Sequence, residues 1–295
     1  MDKCNMCPRM CGIDRSKKAG YCGEKSSMRI ARIAPHYFEE PPISGTRGSG
    51  TIFFSGCSLK CIFCQNRDIS RPNSIGKIIE PQELYNAILE LQKKQVHNIN
   101  LVTPTHFLHN IVPVLTKLKS SGKLKIPVVY NSSGYESLDS LRRLEGLVDI
   151  YMPDLKYFSS DLSKKYSSAS DYFSVACSAI QEMLRQVGEY KFSKDEPNIL
   201  QSGLIVRHLV LPGCRQDSMR VLEGLSTLVP PDKILLSLMS QYTPSFAMDT
   251  PYKELHRTVT TFEYSSVVNK ACELGFDGFI QNKDSASSIF TPSFR

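Results

Sequence analysis

The sequence predicts an α/β fold, a mostly parallel sheet with helical crossovers, carrying a cysteine-rich extension at its N-terminus. Three observations predict it. After residue 50, short apolar runs alternate with amphipathic stretches, which is how successive βαβ units read. The chain has 295 residues, 41% apolar and 22% charged, enough to bury one large core in one main domain with small attachments. Of its 10 cysteines, Cys4, Cys7, Cys11, Cys22, Cys57, Cys61 and Cys64 fall early, in two tight groups.

Taken in order, the strand candidates are 51–55 (TIFFS), 99–103 (INLVT), 126–132 (IPVVYNS), 149–155 (DIYMPDL), 204–211 (LIVRHLVL), 234–239 (ILLSLM) and 278–282 (GFIQN). Between them, 81–95 sets Leu84, Ala87, Ile88 and Leu91 at i, i+3, i+4 and i+7, with Pro81 suited to a first helical turn. A helix over 171–187 carries Phe173, Ala176, Cys177, Ile180 and Leu184 on one apolar face, so Cys177 reads as a small buried hydrophobe. The segment 262–274 repeats the period through Tyr264, Val267, Val268 and Ala271, and Gly275 is placed to cap it. The stretch 190–203 reads as a surface excursion. Parallel strands of this kind form either an open doubly wound sheet or a full or partial barrel, and periodicity does not choose between them. Both put function at the C-terminal ends of strands. The expected boundaries are 1–48 for a metal-binding extension, 49–282 for the main domain and 283–295 for a tail.

The formal net charge is +7 and the pI about 8.8. These charges are spread along the chain with no block of five or six of one sign, which speaks against a nucleic-acid arm. The start, Met1-Asp2-Lys3-Cys4, lacks a basic region followed by an apolar stretch, and no run approaches the ~20 apolar residues of a membrane span. The sequence therefore reads as cytoplasmic, with no membrane partner. In that setting clustered cysteines bind metal rather than form disulfides.

The segment TIFFSGCSLKCIFCQN sets CxxxCxxC directly after a strand and a glycine, so Cys57, Cys61 and Cys64 share one loop at a strand's C-terminal end. A [4Fe-4S] cubane takes four thiolates, and a loop that offers three leaves one iron open to another ligand. Structural zinc is the competing reading; it needs a fourth ligand, for which His97 and His106 are distant candidates. The spacing, the preceding strand and the aromatic Phe63 favour the cluster.

CxxxCxxC with an aromatic before its third Cys is the signature of the radical S-adenosylmethionine (SAM) superfamily, which this chain resembles. CNMCPRMC, HYFEEPPISGTRGSGTIFFSGCSLKCIFCQN, NLVTPTHF, YMPDLKYF, RHLVLPG, LMSQYTP and FIQNKDSASSIF are similar, over nearly the whole chain, to the pyruvate formate-lyase activating enzyme family. Within it they resemble a branch with extra N-terminal cysteines. The resemblance implies a partial (β/α)6 barrel with SAM bound across the strand ends. It makes Cys57, Cys61 and Cys64 the catalytic ligands of a cluster at which one electron breaks a carbon–sulfur bond of SAM, releasing a 5′-deoxyadenosyl radical.

It implies contacts as well. Phe63 lies beside the cofactor. The family's Gly-Gly-Glu-Pro type turn, which holds the SAM amino group, corresponds here to Val102-Thr103-Pro104-Thr105-His106. The acidic residue is missing, which leaves the Thr103 and Thr105 hydroxyls or backbone carbonyls for that contact, while His106 is evenly poised between a local helix-start role and a site role. Asn131, Ser132 and Ser133 occupy the place of small polar residues near SAM. Asp154-Leu155-Lys156 matches an Asp-Leu-Lys element; its charged residues, two apart on an extended segment, share a face and either pair or meet the charged ends of SAM. Arg207 and His208 match a basic pair near the SAM carboxylate and ribose. Strand neighbours face opposite ways, and His208 is the one preferred to project inward. Cys214 reads as inert.

Cys4, Cys7, Cys11 and Cys22 form CxxCxxxC followed by a fourth cysteine. Four thiolates close a zinc site or fully ligate a second iron-sulfur cluster, so a second metal is expected there. No strand precedes them, which sets them apart from the SAM triplet. The family resemblance further implies a reducing partner such as a flavodoxin or ferredoxin, and a glycine Cα–H of a glycyl radical enzyme as hydrogen donor. Radical SAM modification of RNA or of a small metabolite, and a metal-binding protein without catalysis, are the other classes.

Overall fold

A computed structural model describes residues 3–71 and 75–280. Ten strands form the sheet: β1 (Arg29–His36), β2 (Ser49–Phe54), β3 (Lys77–Ile78), β4 (Ile99–Val102), β5 (Val128–Ser132), β6 (Ile150–Pro153), β7 (Lys191–Phe192), β8 (Leu200–Leu209), β9 (Leu235–Met239) and β10 (Asp277–Ile280). Their order is β10-β9-β8-β6-β5-β4-β2-β1-β3, with β7 beside β8. Every neighbour from β2 to β10 along that path is parallel, whereas β1 runs antiparallel to both β2 and β3. The sheet curls around a cluster of side chains from β5, β6, β8 and β9, and among the described residues its edge strands β3 and β10 do not meet, so the barrel is partial.

The helices are α1 (Pro41–Ser44), α2 (Arg67–Ser70), α3 (Pro81–Lys93), α4 (Leu108–Ser120), α5 (Leu138–Arg142), α6 (Ser160–Ser167), α7 (Tyr172–Val187), α8 (Arg215–Leu228) and α9 (Thr261–Glu273). Local chemistry sets their ends. A capping box between Glu80 and Glu83, with Pro81 in the first turn, starts α3. Thr260 and Glu263 do the same for α9, and beyond its end Gly275, at φ 78°, lets the Phe276 N–H reach the Ala271 carbonyl at 3.1 Å. None of these helices is long and apolar enough to cross a membrane.

Strand alternation makes two cores. Val129, Ile150, Met152, Ile205 and Leu235 form one cluster in the barrel interior. Their neighbours Tyr130, Tyr151, Leu204, Val206 and Leu236 belong to the outer cluster, covered by Ala176, Ala179, Ile180 and Met183 of α7 and by the other helices. Each large side chain buried this way contributes roughly 1.5–3 kcal/mol. Cys177 sits at the edge of that face, half-buried.

Three stretches differ from the sequence reading. β1, within 1–48, is a strand where only an extension was expected: it pairs with β2 along its length and with β3 only at Arg29 and Ile30, and Arg32 and Pro35, on the stretch that β3 leaves open, obscure the pattern. β8 starts at Leu200, not 204, because Leu200 and Ser202 already pair with β7. The supposed excursion 190–203 therefore holds a short antiparallel ribbon, β7 against β8. Of the 278–282 strand, only the part to Ile280 lies within the described residues; the rest, the tail 283–295 and most of FIQNKDSASSIF fall outside them.

Candidate active site

β2 ends at Phe54, and the chain turns through Ser55 and Gly56 into the cysteine loop. Gly56 sits at φ 87°, and a Cβ there would lie 2.7 Å from Cγ of Glu24 and 2.8 Å from the Cys22 carbonyl oxygen, so the turn requires glycine. His106 fixes it from beneath, its Nε2 2.6 Å from the Ser55 carbonyl oxygen. Hydroxyls address two of the thiols, Ser167 donating to Cys61 Sγ at 3.0 Å and Ser70 to Cys64 Sγ at 3.5 Å. Burial, helped by the neighbouring Cys61 and Cys64, pushes the Cys57 thiol up to about 12. Such a thiol ionises only against a strong cation or metal.

The three cysteines and Phe63 line one cavity of about 220 Å³ at the C-terminal ends of the strands. Opposite them stand Thr103 after β4, Asn131 and Ser132 on β5, Asp154 and Lys156 after β6, and Arg207 on β8. Thr103 holds a left-handed backbone, φ 58°, unusual for a β-branched residue and a form of strain that collects at functional sites.

Asp154 is the hub of this wall. Arg207 donates to it through Nε at 2.9 Å, and Lys156 through Nζ at 2.5 Å. Burial alone would raise the Asp154 pKa, but these two cations overrule it and hold the carboxyl below its usual range. Burial likewise works against the Lys156 charge, and Asp154 with Cys61 more than offsets it. Arg207 also donates through Nη2 to Asn131 Oδ1 at 2.7 Å. The result is a fixed, charged wall facing three thiols, suited to a ligand with an ammonium and a carboxylate.

Two candidates lie elsewhere. Arg207, not His208, is the member of the pair that projects inward, because β8 places 205, 207 and 209 on the inner face. His208 points outward with Leu204 and Val206, buried, its Nδ1 2.6 Å from the Leu155 carbonyl oxygen. Thr105 is also off the cavity: its hydroxyl donates to Glu136 Oε1 at 2.8 Å. Neither His97, bonded to Arg47, nor His106 lines the cavity to complete a zinc site. Cys214 occupies a separate hollow with Tyr166 and Glu254.

Glu39 went unrecognised. β1 delivers it into the cavity, where Asn100 Nδ2 donates to Oε1 at 3.1 Å and Arg207 Nη1 lies 3.7 Å from Oε2. Burial pushes its pKa up to about 7, with Arg207 opposing the rise. The signal lay in the sequence: two adjacent carboxylates, Glu39 and Glu40, directly before Pro41-Pro42 and ahead of the first barrel strand.

The donor chemistry of Cys57, Cys61 and Cys64 fits an iron-sulfur cluster: three soft thiols on one loop, with a polar cavity where a fourth ligand would approach. Among the described residues no three Cys, His, Asp or Glu side chains converge on a single metal position; a cubane does not ask this of Cys57, Cys61 and Cys64, because each thiolate takes a different iron. The N-terminal thiols form a second group. Cys7 and Cys22 are buried, Cys4 and Cys11 half-buried, and the Tyr21 N–H donates to Cys11 Sγ at 3.3 Å.

The family description "Radical SAM superfamily" matches residues 51–191. Over 284 residues the chain is 29% identical to an uncharacterized protein of Methanocaldococcus jannaschii, spanning 92% of this chain and 73% of that one. It is 32% identical over 124 residues to a candidate glycyl-radical enzyme activating enzyme of Haemophilus influenzae, 39% of this chain and 45% of that one. A crystal structure of a domain of pyruvate-formate lyase-activating enzyme from Bacteroides vulgatus superposes with a TM-score of 0.41 at 11% identity, over 59% of this chain and 91% of that one.

Proposed function

Because this chain belongs to the radical SAM superfamily, with the domain spanning residues 51–191, we propose that it cleaves SAM reductively at a [4Fe-4S] cluster on Cys57, Cys61 and Cys64 and uses the product to take hydrogen from a substrate. One observation carries the reading: three thiols on one loop share a cavity with the ion-paired set Asp154, Lys156 and Arg207. The cluster and SAM, when bound, supply the electron transfer that breaks the carbon–sulfur bond. The chain's own residues bind and orient. Asp154, kept ionised by its two cations, receives the SAM ammonium; Arg207 and Lys156 receive its carboxylate; Thr103, Asn131 and Ser132 supply hydrogen bonds where an acidic contact is missing. Phe63, whose ring stands 6.3 Å from that of Tyr166 and 6.0 Å from that of Tyr242, helps keep water from the loop.

The hydrogen donor in this proposal is a glycine Cα–H of a glycyl radical enzyme, and the electron comes from a reduced flavodoxin or ferredoxin. Its support is the name of the Haemophilus influenzae relative, of which the alignment spans 45%. The cytoplasm is the proposed setting, where ten unpaired cysteines stay reduced. Cys4, Cys7, Cys11 and Cys22 hold a second metal, zinc or iron-sulfur.

The test is anaerobic reduction of the reconstituted protein with SAM, followed by chromatography for methionine and 5′-deoxyadenosine. Both should form in equal amounts. Protein with an intact cluster that forms neither would overturn the reading.

A further inference from the structure

Residues 3–28 contain no helix or strand, yet they are tied to the barrel at many points. Hydrogen bonds from Cys4 N–H to the Ile13 carbonyl and from Gly12 N–H to the Cys4 carbonyl close one loop, at 2.9 and 3.0 Å. Turns at Cys7–Met10 and Gly20–Gly23 present the remaining cysteines. Gly20 separates two sulfurs: a Cβ built on it would lie 3.4 Å from Cys22 Sγ and 3.8 Å from Cys11 Sγ. These bonds gather the four thiols into one region, Cys7 close to Cys11 and Cys22, and Cys22 close to Cys4 and Cys11, although no three of them converge on a single ion position.

This segment grips the cluster loop. The Cys57 N–H donates to the Cys22 carbonyl at 3.1 Å, joining a residue of each cysteine group through one backbone bond. Arg9, between Cys7 and Cys11, donates through Nε to the Ser58 carbonyl at 2.7 Å and through Nη2 to the Ser167 carbonyl at 2.9 Å. Ser167 is the residue whose hydroxyl addresses Cys61 Sγ. The Arg9 guanidinium lies against two rings, 4.1 Å from the centroid of Tyr21 and 5.2 Å from that of Tyr135.

We propose that Cys4, Cys7, Cys11 and Cys22 close on one thiophilic metal centre with no open position, and that this centre braces the Cys57–Cys64 loop through Cys22 and Arg9. The inference rests on assigning the main cluster to Cys57, Cys61 and Cys64. Four thiolates leave no site for substrate, so the centre is structural. Its loss frees the Cys22 carbonyl and Arg9, and with them the backbone that positions the first two cluster ligands.

The experiment uses the full chain, purified and reconstituted anaerobically, with elemental and sulfide analysis and the rate of iron release to a chelator. The Cys57→Ala/Cys61→Ala/Cys64→Ala variant should still carry one N-terminal centre, seen as zinc alone or as iron with sulfide. Cys4→Ser/Cys11→Ser should lose it. In both that double variant and Arg9→Ala, iron should leave the main cluster at least about fivefold faster than in wild type, the factor one ordinary hydrogen bond is worth. Arg9→Ala keeps all ten thiols, so it carries the test where the double variant fails to fold. A metal-free triple variant overturns the centre. Unchanged release in Arg9→Ala, with the N-terminal metal present, overturns the brace. Equal iron in wild type and the triple variant would instead sink the main-cluster assignment, and the brace with it.

Discussion

Arg207 on β8 donates to Asp154 beyond β6 at 2.9 Å, and the two backbones are joined by an isolated bridge at the same residues. The pair is therefore set by strand register, and its geometry does not depend on a mobile side chain finding its partner. Arg207→Lys keeps the charge but loses the planar, two-point contact with Asp154 and Asn131. Equilibrium binding of SAM to the reconstituted protein should weaken by about tenfold or more. His208→Gln, on the outer face, should change it by less than about threefold. The reverse ranking would show that the inward residue is misassigned.

Any of Cys57→Ala, Cys61→Ala and Cys64→Ala should bring SAM cleavage down to the uncatalysed background. Cys272→Ala, at an exposed position on α9, should leave it unchanged, and so should Cys177→Ala at the edge of α7. Product chromatography separates the two sets.

Glu136 predicts a pH effect on stability. It is buried with no cation beside it, accepting hydrogen bonds from Thr105 and Tyr130, and burial raises its pKa from 4.5 to about 7. An acid that holds its proton more tightly when folded contributes stability below pH 4.5 that is lost as the pH rises through 7. Glu136→Gln should remove its share of that slope, about 3 kcal/mol, in denaturant melts between those limits. Glu39 adds a slope of the same sign, which should survive in the variant. A steeper pH dependence in Glu136→Gln would contradict the burial argument.

Thr103 is strained at φ 58°. Thr103→Gly should raise the unfolding free energy by up to about 1 kcal/mol, because glycine adopts that backbone freely. The same change should weaken SAM binding if the hydroxyl makes the contact proposed for it. Thermal unfolding and equilibrium binding would then move in opposite directions. A fall in both would mean that the turn is not strained.

The parts of this molecule that sequence revealed are those set by local spacing. CxxxCxxC after an apolar strand, the Asp154-Leu155-Lys156 element and the boxes that start α3 and α9 each need only a few neighbouring residues to be recognised. The parts it concealed depend on distant pairing. Glu39 enters the cavity only because β1 folds back along β2, and β1 looks polar because β3 covers only its first two residues. Arg207 and His208 were known to face opposite ways, but which one faces inward follows from where β8 begins relative to β6, and that is not written in residues 204–211. Thr105 fails as a cavity residue for a similar reason: its partner, Glu136, arrives from beyond β5.

Strand alternation behaves in this barrel like a reading frame. Deleting one residue from β8 before Arg207 would bring the imidazole of His208 inward and turn the guanidinium out toward the covering helices, leaving composition and hydropathy almost untouched. Substitutions at the polar wall of this cavity are graded in effect, whereas single-residue insertions or deletions in its strands are not. Lineages of this chain should therefore vary in loop length far more readily than in strand length.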